Sequence, residues 1–181
     1  MGDPRHKNDH GVWSEIKFIV METSIGVGLG EVVVSNNQND ILVAFGLGSC
    51  VGVGVYDPAK GVAGLLHAVL PEPLNGSDME STKYVGNGIK KLLELMIEKG
   101  ASKERLIVRI AGGANMLTSP GLSKSFDIGT RNIASAQTIL EKAKLNIVNQ
   151  SVGGNIGRTF RVYVAQGKMT IRMIGEKESE F

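Results

Sequence analysis

Glycine sets the limits on this chain. Twenty-four of the 181 residues are glycine, nearly double the usual share of about 7%, and they break the apolar residues into short runs. Glu15 to Met21, Glu31 to Ser35, Ile41 to Phe45, Cys50 to Tyr56 and Val62 to Leu70 are rich in β-branched side chains. Clusters of Gly, Asn, Asp and Pro separate them, so each reads as a strand and the first half as a β-meander. Lys83 to Lys99 is different: Val85, Ile89, Leu92, Leu93, Met96 and Ile97 recur with helical spacing, and Gly100 stands where a C-cap is wanted.

Arg105 to Ala111 predicts a further strand running into Gly112-Gly113, followed by a polar loop. Thr130 suits the N-cap of a second helix reaching Lys144, with Ile133, Ala136, Leu140 and Ala143 inward. A strand over residues 146–152, a turn at Gly153-Gly154-Asn155 and a hairpin (Thr159 to Ala165, Met169 to Ile174) complete the chain. The expectation is an α+β layered sandwich: a mixed, largely antiparallel β-sheet with two main helices packed on it. The polar residues 1–13 read as a tail, 14–175 as one domain and 176–181 as a second tail.

Charge and composition exclude several function classes. Twenty basic residues face 18 acidic ones, too balanced for a nucleic-acid footprint. No apolar run approaches the ~18 residues of a membrane helix, and a single cysteine allows neither an internal disulfide nor a cysteine-rich metal site. A cytoplasmic protein without metal or organic cofactor is expected. Gly26-Val27-Gly28-Leu29-Gly30 leads into a strand, outside the context of a dinucleotide fingerprint.

Outside the tail the chain holds one cysteine, Cys50, and one histidine, His67. If the strands from Cys50 and from Val62 form a hairpin with Tyr56 opposite Gly61, Cys50 faces His67, with Cβ atoms roughly 5 Å apart. A slip of one residue would separate them to opposite faces, and a slip of two would leave them diagonal neighbours on one face. An imidazole beside a thiol is the usual way to make cysteine attack a carbonyl carbon. Gly52 and Gly54 share the face of Cys50 and suggest open space for a substrate chain. Gly46-Leu47-Gly48-Ser49 is a turn able to aim N–H groups at an oxyanion. A lone cysteine is equally at home as a small buried apolar residue, and pattern alone leaves the two readings in balance.

Ordered motifs then carry a resemblance. Gly26-Val27-Gly28, Gly46-Leu47-Gly48-Ser49-Cys50-Val51, Tyr56-Asp57-Pro58 and Leu66-His67-Ala68-Val69-Leu70-Pro71 resemble the chemoreceptor glutamine deamidase family, CheD. So do Ala111-Gly112-Gly113-Ala114-Asn115-Met116, Ile128-Gly129-Thr130-Arg131-Asn132 and Gly153-Gly154-Asn155 with Arg158, in the same order over roughly residues 16–174. The resemblance implies hydrolysis of glutamine side-chain amides to glutamate on the cytoplasmic helices of chemotaxis receptors. It implies Cys50 as nucleophile and His67 as acid and base, an oxyanion hole from the N–H groups around Gly48, Ser49 and Cys50, and no cofactor.

One position departs from the family. A threonine regarded as the third catalytic residue stands six residues before the cysteine in such proteins, and here that position is Ala44. Either another acceptor orients His67, such as a backbone carbonyl, as in the related cysteine-histidine toxin deamidases, or turnover is weakened. Ser49 is a poor substitute, since adjacent strand residues point to opposite faces. The departure keeps a rival reading alongside the enzyme: a docking regulator that binds receptor helices or the chemotaxis phosphatase CheC.

Overall fold

The computed structural model describes residues 21–73, 80–115 and 127–181. The expected first tail, most of the strand at 15–21 and the polar loop after Asn115 lie outside these. Among the described residues ten strands and two α-helices form three layers. In chain order the strands are β1 (Thr23–Gly26), β2 (Val32–Ser35), β3 (Asp40–Leu47), β4 (Val51–Asp57) and β5 (Val62–Ala68). After helix α1 (Val85–Glu98) come β6 (Ile107–Gly112), helix α2 (Ile128–Lys142), β7 (Ile147–Val152), β8 (Arg158–Tyr163), β9 (Met169–Met173) and β10 (Ser179–Glu180). One sheet has the order β2-β5-β4-β6-β7 and the other β1-β3-β8-β9-β10. No helix among the described residues is long and apolar enough to cross a membrane.

Alternation along β4 and β5 explains the layering, because both strands are buried on both faces. Val51, Val53, Val55, Leu66 and Ala68 point to one side and pack with Val85, Ile89, Leu92, Ala136 and Leu140 of the two helices. Ala63, Leu65 and Tyr56 point to the other and pack with Leu42, Leu47, Phe160 and Met169 of the second sheet. The layered α+β expectation holds, but the meander does not. Successive strands β1 to β4 alternate between the two sheets, and β1 and β3 pair in parallel.

Three boundaries differ from the sequence expectation. The N-cap of α2 is Asp127, whose carboxylate accepts from the Thr130 N–H at 3.0 Å. The buried residues of this helix are Gly129, Asn132, Ala136 and Leu140, with Asn132 in place of the expected Ile133. Residues 176–181 are not a free tail: β10 pairs antiparallel with β9, and the Phe181 ring sits edge-on to Phe160, centroids 5.3 Å apart.

The β4–β5 hairpin also closes one residue further on. Asp57 pairs with Val62, and the turn keeps Gly61, whose N–H reaches the Asp57 carbonyl at 2.9 Å. The fully buried Asp57 carboxylate fixes this register. It accepts from Arg105 Nε and Nη2 at 3.1 and 2.7 Å, from the Ser102 N–H at 2.8 Å and from the Ala59 N–H at 2.9 Å. The Arg105 hydrogen bonds hold its pKa at about 2, against an ordinary 3.8. Arg105 is itself 40% exposed, so the contribution rests on the buried acceptor and its bonds more than on the ion pair.

Asp57→Asn is expected to cost about 2–4 kcal/mol in urea unfolding at neutral pH. Above pH 3.8 the carboxylate is charged in folded and unfolded chains alike and its stabilisation is complete; it is lost as pH falls through about 2. The stability gap between wild type and variant should therefore be constant at neutral pH and close over that acid interval.

Candidate active site

Cys50 stands where the chain crosses from one sheet to the other. The ladder between β3 and β8 is regular to Ala44, then shifts before Leu47, with Gly46 at φ +65°. This bulge turns Phe45 outward, 59% exposed, while Leu47 remains buried. Gly48, Ser49 and Cys50 then bridge to β4. Their carbonyls all engage other segments: Gly48 O accepts from the Ala114 N–H at 2.7 Å, Ser49 O from Asn132 Nδ2 at 2.8 Å and Cys50 O from the Gly113 N–H at 2.7 Å.

The ladder places Gly52, not Cys50, directly opposite His67. Relative to the expected pairing this is a slip of two, and the same register continued one residue past Val51 would set Cys50 diagonal to His67 on one face. Cys50 packs against the inter-sheet cluster, the side on which Leu65, two residues from His67, also lies. The open space expected at Gly52 and Gly54 is absent. A Cβ on Gly52 would stand 2.9 Å from Leu47 Cδ1 and from Phe160 Cδ1, and one on Gly54 2.6 Å from Phe160 Cζ. These glycines admit the Phe160 ring, not a ligand.

The loop between β1 and β2 wraps His67. The imidazole Nδ1 lies 3.1 Å from the Val27 carbonyl oxygen, which can only accept, so Nδ1 carries the proton and Nε2 presents its lone pair. The His67 N–H donates to Glu31 O at 3.0 Å, and its carbonyl accepts from the Gly30 N–H at 2.8 Å. The ring is 3% exposed, and Nε2 has no partner among the described residues. Burial pushes the His67 pKa below its ordinary 6.5, against the opposing pull of the Val27 carbonyl and the Glu31 charge. Burial likewise raises the Cys50 thiol above its ordinary 9.0, partly offset by its own backbone N–H. The resting pair is a thiol and a neutral imidazole.

A cleft of about 580 Å³ opens beside His67, walled by Val27, Leu29 and Glu31 on one side and Phe45 and Gly46 on the other. Leu29, 70% exposed, and Phe45 give it an apolar rim, and Glu31 holds the Gly28 N–H at 2.8 Å. Ala44 is wholly buried among Leu42, Leu47 and Phe160 and offers no hydroxyl. Ser49 is exposed. The acceptor that holds the His67 ring is the Val27 carbonyl, which leaves no side-chain signature in a sequence.

Two glycine motifs support the cysteine turn from behind. Gly112, at φ +110°, leaves room for the Cys50 carbonyl, which a Cβ would overlap. The Gly153 N–H donates to Gly112 O at 2.9 Å and the Asn115 N–H to Gly154 O at 2.8 Å. The buried Arg158 guanidinium spans the adjoining turn, donating to Ser151 O, Ser151 Oγ and Gly153 O.

Comparison with known proteins gives the family of the chain. Residues 69–173 match the family model described as CheD chemotactic sensory transduction. A protein of Symbiobacterium thermophilum named "Probable chemoreceptor glutamine deamidase CheD" is 36% identical, covering 85% of this chain and 94% of its own. This chain belongs to the CheD family. A second relative of the same name, from Caldanaerobacter subterraneus subsp. tengcongensis, is 40% identical over 86% of this chain and 96% of its own. Among solved structures, the Bacillus licheniformis hypothetical protein YfiH is 14% identical with a TM-score of 0.48, covering 75% of this chain and 61% of that one. Cys50 immediately precedes β4, and His67 lies near the end of β5. Val27, Glu31, Phe45 and Asn132 surround them without having been singled out by residue type.

Proposed function

We propose that this chain is a cysteine-dependent protein-glutamine deamidase acting on the cytoplasmic helices of chemoreceptors, in the cytoplasm. The observation that carries the reading is the state of His67: Nδ1 is held by the Val27 carbonyl and Nε2 has no partner among the described residues, on the strand that pairs with the one beginning directly after Cys50. In the first half-reaction Nε2 takes the thiol proton as Cys50 Sγ attacks the amide carbon. Backbone N–H groups around Gly48, Ser49 and Cys50 hold the oxyanion, their carbonyls being turned to residues 113–114 and Asn132. Imidazolium then gives its proton to the amide nitrogen, the C–N bond breaks and ammonia leaves a thioester. In the second half-reaction neutral His67 takes a proton from water, hydroxide adds to the thioester, and the thiolate leaves and recovers the proton. No metal or organic cofactor enters either step.

The Val27 carbonyl takes over in this reading what the family threonine does, so Ala44 is compatible with turnover. The same Ala44, together with the exposed Leu29 and Phe45 beside the cleft, favours the second reading: a docking regulator on receptor helices or on CheC with little catalysis of its own. Incubation with a purified receptor cytoplasmic fragment separates the two by mass spectrometry and ammonia release. The deamidase reading expects conversion of specific glutamines to glutamate. A fragment recovered with every glutamine intact, yet retained by the immobilised chain, would leave docking alone.

A further inference from the structure

We infer that Asn132 is a positioning residue that sets the distance between the nucleophile turn and the histidine strand, through one carboxamide nitrogen shared by their two carbonyls. Nδ2 donates to Ser49 O at 2.8 Å and to Val69 O at 2.9 Å. One acceptor immediately precedes Cys50, and the other lies two residues beyond His67. The β-ladders cannot do this work: β4–β5 pairing ends at Val51 with Ala68 and β4–β6 pairing at Val51 with Gly112. Ser49 and Cys50 lie past the last rung. Val69 is fixed independently, its N–H donating to the Lys83 carbonyl at 2.8 Å, so Asn132 ties the turn to an anchored point.

Stability alone does not explain an asparagine there. The side chain is wholly buried on the inner face of α2, and its Oδ1 has no partner among the described residues. Asparagine is also a weaker helix former than alanine or leucine, and an unpartnered buried oxygen is unfavourable. The two donated bonds account for its presence. Position 132 stands one turn before Ala136 and two before Leu140, on the same buried stripe of α2.

The inference rests on the deamidase reading for its kinetic readout and carries a second readout that does not. Asn132→Ala, Asn132→Ser and, as a control, Leu140→Ala on the same buried face of α2 would be compared with wild type in the full chain. For the asparagine variants kcat for receptor-fragment deamidation is expected to fall about 100-fold with KM unchanged, as a small misplacement of reacting groups does. Leu140→Ala should lose stability and keep kcat near wild type. Equal kcat losses in Leu140→Ala and the asparagine variants, or wild-type kcat in Asn132→Ser, would overturn the inference. If wild type itself converts nothing, the deamidase reading fails and iodoacetamide alkylation of Cys50 decides. A rate changed on the order of tenfold in the asparagine variants only supports the clamp, and a rate common to all four proteins overturns it. Asn132→Ser, which keeps one donor, is read by itself should Asn132→Ala not fold.

Discussion

Cys50→Ala and His67→Ala should each lower the rate of glutamine conversion by about 10⁴-fold or more, and the double variant should be no worse than either alone. The expectation follows from how the two groups depend on each other. Burial keeps the Cys50 thiol protonated at neutral pH, so without a base almost no thiolate is available. Without sulfur, the His67 base has only water to activate against an unactivated amide. Multiplicative losses would show two independent contributions and count against a nucleophile–base unit. The pH profile makes the same point: His67 must be neutral to accept the thiol proton, and its pKa is displaced below 6.5 by burial. The acid limb of kcat/KM should have its midpoint below that value and be absent from the residual activity of His67→Ala. A midpoint above 6.5 would indicate a resting thiolate–imidazolium pair instead. Stability carries a matching signature. Above pH 6.5 His67 is neutral folded or unfolded and contributes no slope; below it the unfolded chain binds a proton that the buried ring resists, so wild type should lose stability there faster than His67→Ala.

Gly112→Ala is expected to destabilise the chain by roughly 3–5 kcal/mol and to abolish what activity remains. Two costs combine at this position. The backbone sits at φ +110°, which L side chains rarely adopt, and the new methyl overlaps a backbone carbonyl, that of Cys50, which has no rotamer by which to withdraw. That carbonyl also holds the Gly113 N–H at 2.7 Å, so relief requires moving the cysteine turn. Gly26→Ala is the control for a glycine that nothing crowds: its φ is ordinary and no atom lies within 4 Å of the added Cβ. Urea unfolding of the two variants should differ by most of the predicted cost, and near-equal midpoints would refute the close packing behind the nucleophile.

Much of this was readable in the residues. Short β-branched runs located eight strands, β2 to β9, to within a few residues, because apolar alternation and glycine punctuation act locally. The 3.6-residue spacing of Val85, Ile89, Leu92 and Met96 gave α1 for the same reason. What escaped depended on distant partners. The hairpin register lies one residue further on each strand than expected, with Asp57 held by Ser102 and Arg105 from more than forty residues away. Gly52 and Gly54 look empty in a sequence because Phe160, more than a hundred residues away, is what fills them. The ring acceptor of His67 is a main-chain oxygen, identical in every residue type. Asn132 was visible as part of a motif, but its neighbour Ile133 is the apolar residue that periodicity turns inward, while the buried place goes to the asparagine that bonds Ser49 and Val69.

The pairing of β3 with β8 has a consequence for biosynthesis. Every side chain proposed to act in the first half of the chain, Cys50 and His67 included, is translated early, yet the strand just before the cysteine turn hydrogen-bonds to residues 158–163, and Asn132 comes from between. A nascent chain released at α1 would hold thiol and imidazole with only β1 and β3 of the second sheet, and long-range strand pairing of this kind forms slowly. Any reactivity of Cys50 that depends on this packing is therefore expected only once β8 has left the ribosome.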